Sequence, residues 1–154
     1  LFGAFAGMTY WYPKMFGRML NEGLGKLHFW LTFILFNMAM FPMFSLGLRG
    51  MPRRIYDYTQ YSGLENLTGI NQMMSMAAFC LFGVQLIFVL NFVWSLFKGK
   101  KAGENPWEAT TLEWITPSPP PHGNFKGPLQ VYCGPYEYSV PGAKRDWRLQ
   151  TEKE

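Results

Sequence analysis

Two intervals of this chain carry no charged side chain and are long enough to cross a lipid bilayer. The first lies between Lys26 and Arg49 and reads LHFWLTFILFNMAMFPMFSLGL, 22 residues. As a helix it spans about 33 Å, matching a hydrocarbon core about 30 Å thick. The second runs from Asn66 to Phe97, and its apolar part, MMSMAAFCLFGVQLIFVLNFVWSLF, has 25 residues, enough to cross with some tilt. The competing reading is a pair of core helices in a large soluble protein. A chain of 154 residues has little else with which to bury two such runs. Its mean hydropathy of −0.04 hides this segregation. Pro42, near the end of the first run, is tolerable in a membrane helix because neighbouring helices can satisfy the freed carbonyl.

Residues 1–13 form a third apolar piece, too short to span by itself. It ends in an aromatic belt, Tyr10, Trp11 and Tyr12, followed by Pro13 and Lys14. It reads as the exit half of a helix whose other half lies upstream of Leu1, so residue 1 is expected to be a truncation point. Lys14, Arg18 and Lys26 precede the first span, and Lys98, Lys100 and Lys101 follow the second. Two spans put these groups on one side, which the excess of Lys and Arg assigns to the cytoplasm. The connection 49–65 then faces outward. Its Arg49, Arg53 and Arg54 run against that rule and call for a specific partner.

After Lys101 the character changes. Residues 102–154 hold eight of the 11 prolines, and PSPPPHGNF (117–125) reads as an extended polyproline-like stretch. The expected organisation is a transmembrane part, 1–101, comprising a half helix 1–14 and helices about 24–48 and 68–97. An extended cytoplasmic tail, 102–154, follows. Trp107, Trp114, Tyr132, Tyr136 and Tyr138 are candidates for holding the tail down. The fold class expected is therefore all-α integral membrane, with two full transmembrane helices plus half of a preceding one and an irregular Pro-rich tail.

Residues that could carry chemistry are few. His28 lies just inside a span, either as an interfacial histidine hydrogen-bonded locally or as a haem ligand or proton relay; His122, in the proline stretch, is read as solvated. Thr32, Asn37, Ser75, Gln85 and Asn91 are the polar residues of the spans and read as interhelical hydrogen-bonding groups. Neither span contains Asp, Glu or Lys, so no pump residue is evident. Cys80 and Cys133 are far apart, with no disulfide or metal-site spacing. No phosphate loop, Ser-His-Asp set or zinc motif occurs, and no basic stripe with interleaved aromatics suits nucleic acid.

GMPRRIYDY (50–58) is the most informative local feature. Arg53 and Arg54 are either an ordinary juxtamembrane basic pair or an anion-capturing pair. Guanidinium is permanently charged, weakly hydrated and forked, so it binds carboxylates well in partly dry places.

Several segments, in order, resemble the last part of subunit I of haem-copper oxygen reductases: YWYPKMFGRMLNE (10–22), LGKLHFWLTFILFN (24–37), LGLRGMPRRIYDY (46–58) and NPWEATTLEWITPSPPPHGNF (105–125). The tail VYCGPYEYSVPGA (131–143) is similar to bacterial members. The resemblance covers nearly the whole chain. It implies that residues 1–14 are part of the family's tenth transmembrane helix, and that the two spans are the eleventh and twelfth. It implies reduction of O2 to water at a haem and copper centre, with proton pumping. Arg53 and Arg54 match the family arginines that bind haem propionates. The histidines that ligate two a-type haems and copper would lie upstream of Leu1, so this chain supplies no metal ligand and is expected to be inactive alone. Phe44 stands where the family often has histidine.

The expected partners are the upstream part of subunit I, oxidase subunits II and III, cytochrome c as electron donor, and the lipid bilayer; no nucleic acid is expected. The expected location is the bacterial cytoplasmic membrane. The alternatives are a quinol oxidase subunit I fragment, or a non-catalytic membrane accessory subunit for which the arginines would be incidental. GPYEYSVPG leans toward cytochrome c.

Overall fold

The computed structural model describes residues 1–125, 127–137, 141–142 and 144–153. The helices are α1 (Phe2–Phe16), α2 (Glu22–Met40), α3 (Pro42–Leu48) and α4 (Thr68–Lys98), with short 3₁₀ turns at Tyr58–Gln60, Glu65–Leu67 and Leu112–Trp114. Among the described residues there is no β-strand; an isolated antiparallel bridge joins Arg18 and Lys101. Two compact units are distinguished, Asn21–Phe92 and Leu1–Leu20 with Val93–Glu154.

In the unit Asn21–Phe92, α2 begins at Asn21, whose side chain accepts a hydrogen bond from Leu24 N at 3.0 Å. This satisfies one of the orphan N–H groups of a helix start. Asn91, 2% exposed, completes the junction from α4. Its Oδ1 accepts from Asn21 N at 3.0 Å, and its Nδ2 donates to Asn21 O at 3.0 Å. One amide side chain thus serves both backbone groups of the α2 cap.

The first charge-free interval is two helices end to end, because Pro42 has no N–H to continue the ladder. Phe41 keeps helical angles, φ −64° and ψ −40°, so the direction is nearly preserved and Pro42 starts α3. α3 ends in a Schellman motif. Met51 N donates to Leu46 O at 3.1 Å and Gly50 N to Gly47 O at 3.0 Å. Gly50 holds φ 83°, the left-handed value this motif needs at that position and that glycine adopts without a Cβ penalty. The returning chain packs Met51 and Tyr58 against a small core of Leu46, Leu64 and Leu67, which Ile70 and Met74 of α4 extend.

α2 and α4 meet through polar contacts among apolar ones. His28 Nε2 lies 3.1 Å from Gln85 Oε1. Gln85 Nε2 donates to Leu81 O at 2.9 Å and reaches Thr32 Oγ1 at 3.5 Å. The His28 ring packs on Phe88, with centroids 5.3 Å apart. Gln85, Thr32 and Asn91 therefore join the two spans. Asn37 and Ser75, expected to do the same, donate instead to Phe33 O and Asn71 O one turn back in their own helices, at 2.8 and 3.0 Å.

The continuous interval Glu22–Leu48 has 27 residues with mean hydropathy 1.7, and Thr68–Lys98 has 31 with mean hydropathy 2.2; only 17% of each apolar window is buried. Core helices of a soluble protein would be largely covered. Here Phe79, Phe82 and Leu48 are 75%, 76% and 90% exposed, a surface suited to hydrocarbon rather than water.

In the other unit, α1 stops at Gly17, whose N–H bonds Pro13 O at 2.8 Å with φ 65°. A Cβ there would also meet Ser118 O at 3.1 Å and Pro119 Cδ at 3.2 Å, so both backbone angle and space require glycine. The chain then pairs with the segment after α4. Met19 N donates to Lys100 O at 2.8 Å, Ala102 N to Gly17 O at 3.0 Å, and Arg18 Nη1 to Gly99 O at 2.8 Å.

Candidate functional site

Arg53 and Arg54 sit in the turn that follows the α3 cap, and both are exposed. Arg54 holds φ 60°, a left-handed conformation that costs a non-glycine residue about 1 kcal/mol. Arg49, the residue that caps α3, is exposed as well. None of the three guanidinium groups makes an ion pair among the described residues.

The acid nearest in sequence, Asp57, is committed elsewhere. Its Oδ1 accepts from Thr59 Oγ1 at 2.6 Å and from Thr59 N at 2.9 Å. These bonds, the hydroxyl's first, hold its carboxyl below the ordinary carboxylate range. The loop thus presents two adjacent, exposed, forked cations with no ion pair among the described residues, groups that bind carboxylates well.

The tail is anchored by a second cluster. Trp114, 1% exposed, donates from Nε1 to Tyr10 Oη at 2.8 Å, and its ring meets that of Tyr10 edge-on at 5.1 Å. Trp107 Nε1 donates to Tyr10 O at 2.8 Å. Lys14, 6% exposed, donates to Thr116 O at 2.6 Å and Glu104 O at 3.0 Å, with its ammonium 5.0 Å from the Trp114 ring centre. A buried cation is here solvated by carbonyl dipoles and an aromatic face.

Trp107 and Trp114 therefore hold the tail, as expected from their type. Among the described residues, Tyr132 and Tyr136 do not hold it by their rings: Tyr136 is 82% exposed, and the Tyr132 hydroxyl donates to nearby Gln130. That part of the tail is tied by main chain and amide contacts, Tyr132 N to Gln150 O at 2.8 Å and Gln150 Nε2 to Cys133 O at 3.1 Å. Tyr138 lies outside the described residues. The aromatic belt is also divided. Trp11 is half exposed, whereas Tyr12 is fully buried.

No group of three or more His, Cys, Asp or Glu side chains that could hold a metal occurs among the described residues. His28 is buried and engaged with Gln85, and His122 is exposed. Both cysteines are free.

Residues 1–80 match the family described as cytochrome c and quinol oxidase polypeptide I. The chain is 46% identical over 146 residues to the alternative cytochrome c oxidase subunit 1 of Bradyrhizobium diazoefficiens, which covers 93% of this chain and 25% of the relative. It is 47% identical over 139 residues to cytochrome c oxidase subunit 1 of Synechocystis, covering 90% and 24%, and 42% identical over 127 residues to that of Bacillus subtilis, covering 82% and 20%. This all-α membrane chain therefore belongs to the cytochrome c and quinol oxidase polypeptide I family. It spans about a quarter of the length of the first two of these relatives.

Proposed function

We infer that this chain acts as part of the catalytic subunit of a terminal respiratory oxidase, one that reduces O2 to water with electrons from cytochrome c and pumps protons. Family membership supports the haem-copper oxidase class, and the relatives' names favour cytochrome c over quinol as donor. Within that enzyme, Arg53 and Arg54 bind haem propionates, and the helices pack against the rest of the subunit. The ligands of the two a-type haems and of copper are supplied by sequence outside these 154 residues. The haems and copper provide the redox chemistry when bound. The arginines contribute only charge and orientation, and their positive field favours the reduced haem. Subunits II and III complete the complex in the bacterial cytoplasmic membrane. The lysines after α4 and the tail lie on the cytoplasmic side, and the arginine loop on the outer side.

The observation that carries this reading is the adjacent arginine pair, free of any ion pair in the described structure, one residue of it in a strained conformation. The test is Arg53→Ala with Arg54→Ala in the assembled enzyme. One charge-assisted hydrogen bond is worth about 1.5 kcal/mol, close to 59 mV for a one-electron couple. The haem midpoint potential is expected to fall by about 60 mV or more, with weaker haem retention. Arg53→Lys with Arg54→Lys keeps the charge, loses the fork, and should give a smaller fall. Unchanged haem spectra, potentials and turnover in the double alanine variant would remove the assignment.

A further inference from the structure

The residues after Gly142 have no part in the oxidase reading, yet they close the tail on itself. Gln150 is at the centre of the closure. Its N–H donates to Thr110 O at 3.3 Å, its carbonyl accepts from Tyr132 N at 2.8 Å, and its side-chain amide donates to Cys133 O at 3.1 Å. The same segments meet through other side chains. Thr110 Oγ1 donates to Pro135 O at 3.2 Å, and Cys133 Sγ to Leu149 O at 3.7 Å. Arg148 extends the seam, with Nε donating to Glu137 O at 3.3 Å and Nη2 lying 3.6 Å from Glu137 Oε2. Thr110, Cys133 and Gln150 are all buried. Every partner in the seam belongs to this chain, so polypeptide packed around it adds to its burial.

The seam differs in kind from the base of the tail. The base is an aromatic anchor, in which Trp114 is fully enclosed against Tyr10. Among the described residues between 131 and 153, Cys133 is the only buried apolar side chain. Segments with few buried apolar contacts open at lower free energy than packed ones. Their hydrogen bonds are exchanged for bonds to water, and each is worth only about fivefold in the opening equilibrium. We propose that residues 148–150 are a strap, closed over residues 132–137, that opens by itself while Trp107 and Trp114 keep the base of the tail docked. Opening gives Thr110 O, Tyr132 N and Cys133 O to water and bares the Cys133 thiol. The proposal does not depend on the haem reading.

The test uses the assembled oxidase, treated with a water-soluble maleimide. Labelling is followed by mass spectrometry of the peptide that carries Cys133, and hydrogen exchange is read at the amides of Trp114 and Ile115. Ending the chain after Trp147 removes the three hydrogen bonds of Gln150. At about fivefold each, Cys133 is expected to be labelled about a hundredfold faster. The amides of Trp114 and Ile115, which bond Thr111 O and Leu112 O at 3.0 and 3.1 Å, should exchange at the parent's rate. Gln150→Leu keeps the main chain and deletes only the bond to Cys133 O, so labelling about fivefold faster is expected. An unchanged labelling rate in either variant would overturn the proposal. So would labelling of the parent at the rate of an exposed thiol. Exchange at Trp114 and Ile115 that rises in step with labelling would overturn it too, because the tail would then open as one body. If the shortened chain does not assemble, Gln150→Leu decides among these outcomes by itself.

Discussion

Replacing Trp114 by alanine is expected to release the tail from α1 and to destabilise the unit they form by about 3–5 kcal/mol, the usual cost of emptying a buried tryptophan site. Three losses coincide. The ring is 1% exposed, so its removal leaves a cavity where little can collapse. Its Nε1 no longer donates to the Tyr10 hydroxyl, a bond of 2.8 Å. The ammonium of Lys14, 5.0 Å from the ring centre, loses the aromatic face that helps it tolerate burial. Tyr10→Phe removes only the hydrogen bond and should cost about 1 kcal/mol. Hydrogen exchange at the amides of Thr110 to Ile115, with thermal unfolding, reads both variants. Protection in Trp114→Ala equal to the parent's would show that the tail is held by something else.

The second large effect belongs to Asn91. Leucine fills the same volume but cannot serve Asn21 N and Asn21 O, each now bonded at 3.0 Å. Asn21 N loses its partner, while Asn21 O keeps the bond from Gly25 N at 3.0 Å, and the cost expected is about 1–2 kcal/mol. Gln85→Leu is the comparison. It disturbs a side-chain contact with His28, and interhelical bonds of that kind in membranes average about 0.6 kcal/mol. Exchange at the amides of Asn21 and Leu24 should rise in Asn91→Leu and stay near the parent's in Gln85→Leu. Equal behaviour of the two variants would mean that the Asn91 amide is not what closes the α2 cap.

Much of the helical architecture is legible in the sequence because charge avoidance in a bilayer is a one-dimensional rule. Lys26, Arg49 and Lys98 bracket the spans with no knowledge of contacts. What one dimension hides is partnership. Lys14, ending an apolar run, has the local appearance of an interfacial cation, yet its carbonyl partners at Glu104 and Thr116 stand 90 and 102 residues away. Tyr12 likewise resembles its neighbour Trp11, and only the fold buries the one and exposes the other. Trp107 and Trp114 could be picked out as anchors from residue type, but their acceptor, Tyr10, could not. Asn37 and Ser75 show the converse. Each has a carbonyl within reach one turn back, and a polar side chain in a helix can be satisfied locally without binding a neighbour. The arginine pair is legible as a pair, while its lack of an ion pair and the left-handed turn at Arg54 are properties of the loop.

That turn sets folding against function at one residue. Glycine at position 54 would adopt φ 60° without the side-chain clash, relieving about 1 kcal/mol of local strain. It would also delete one of the two charges proposed to meet the haem propionates. On the proposed haem role, a search for thermostable variants would therefore favour the substitution that an assay of haem potential is expected to reject.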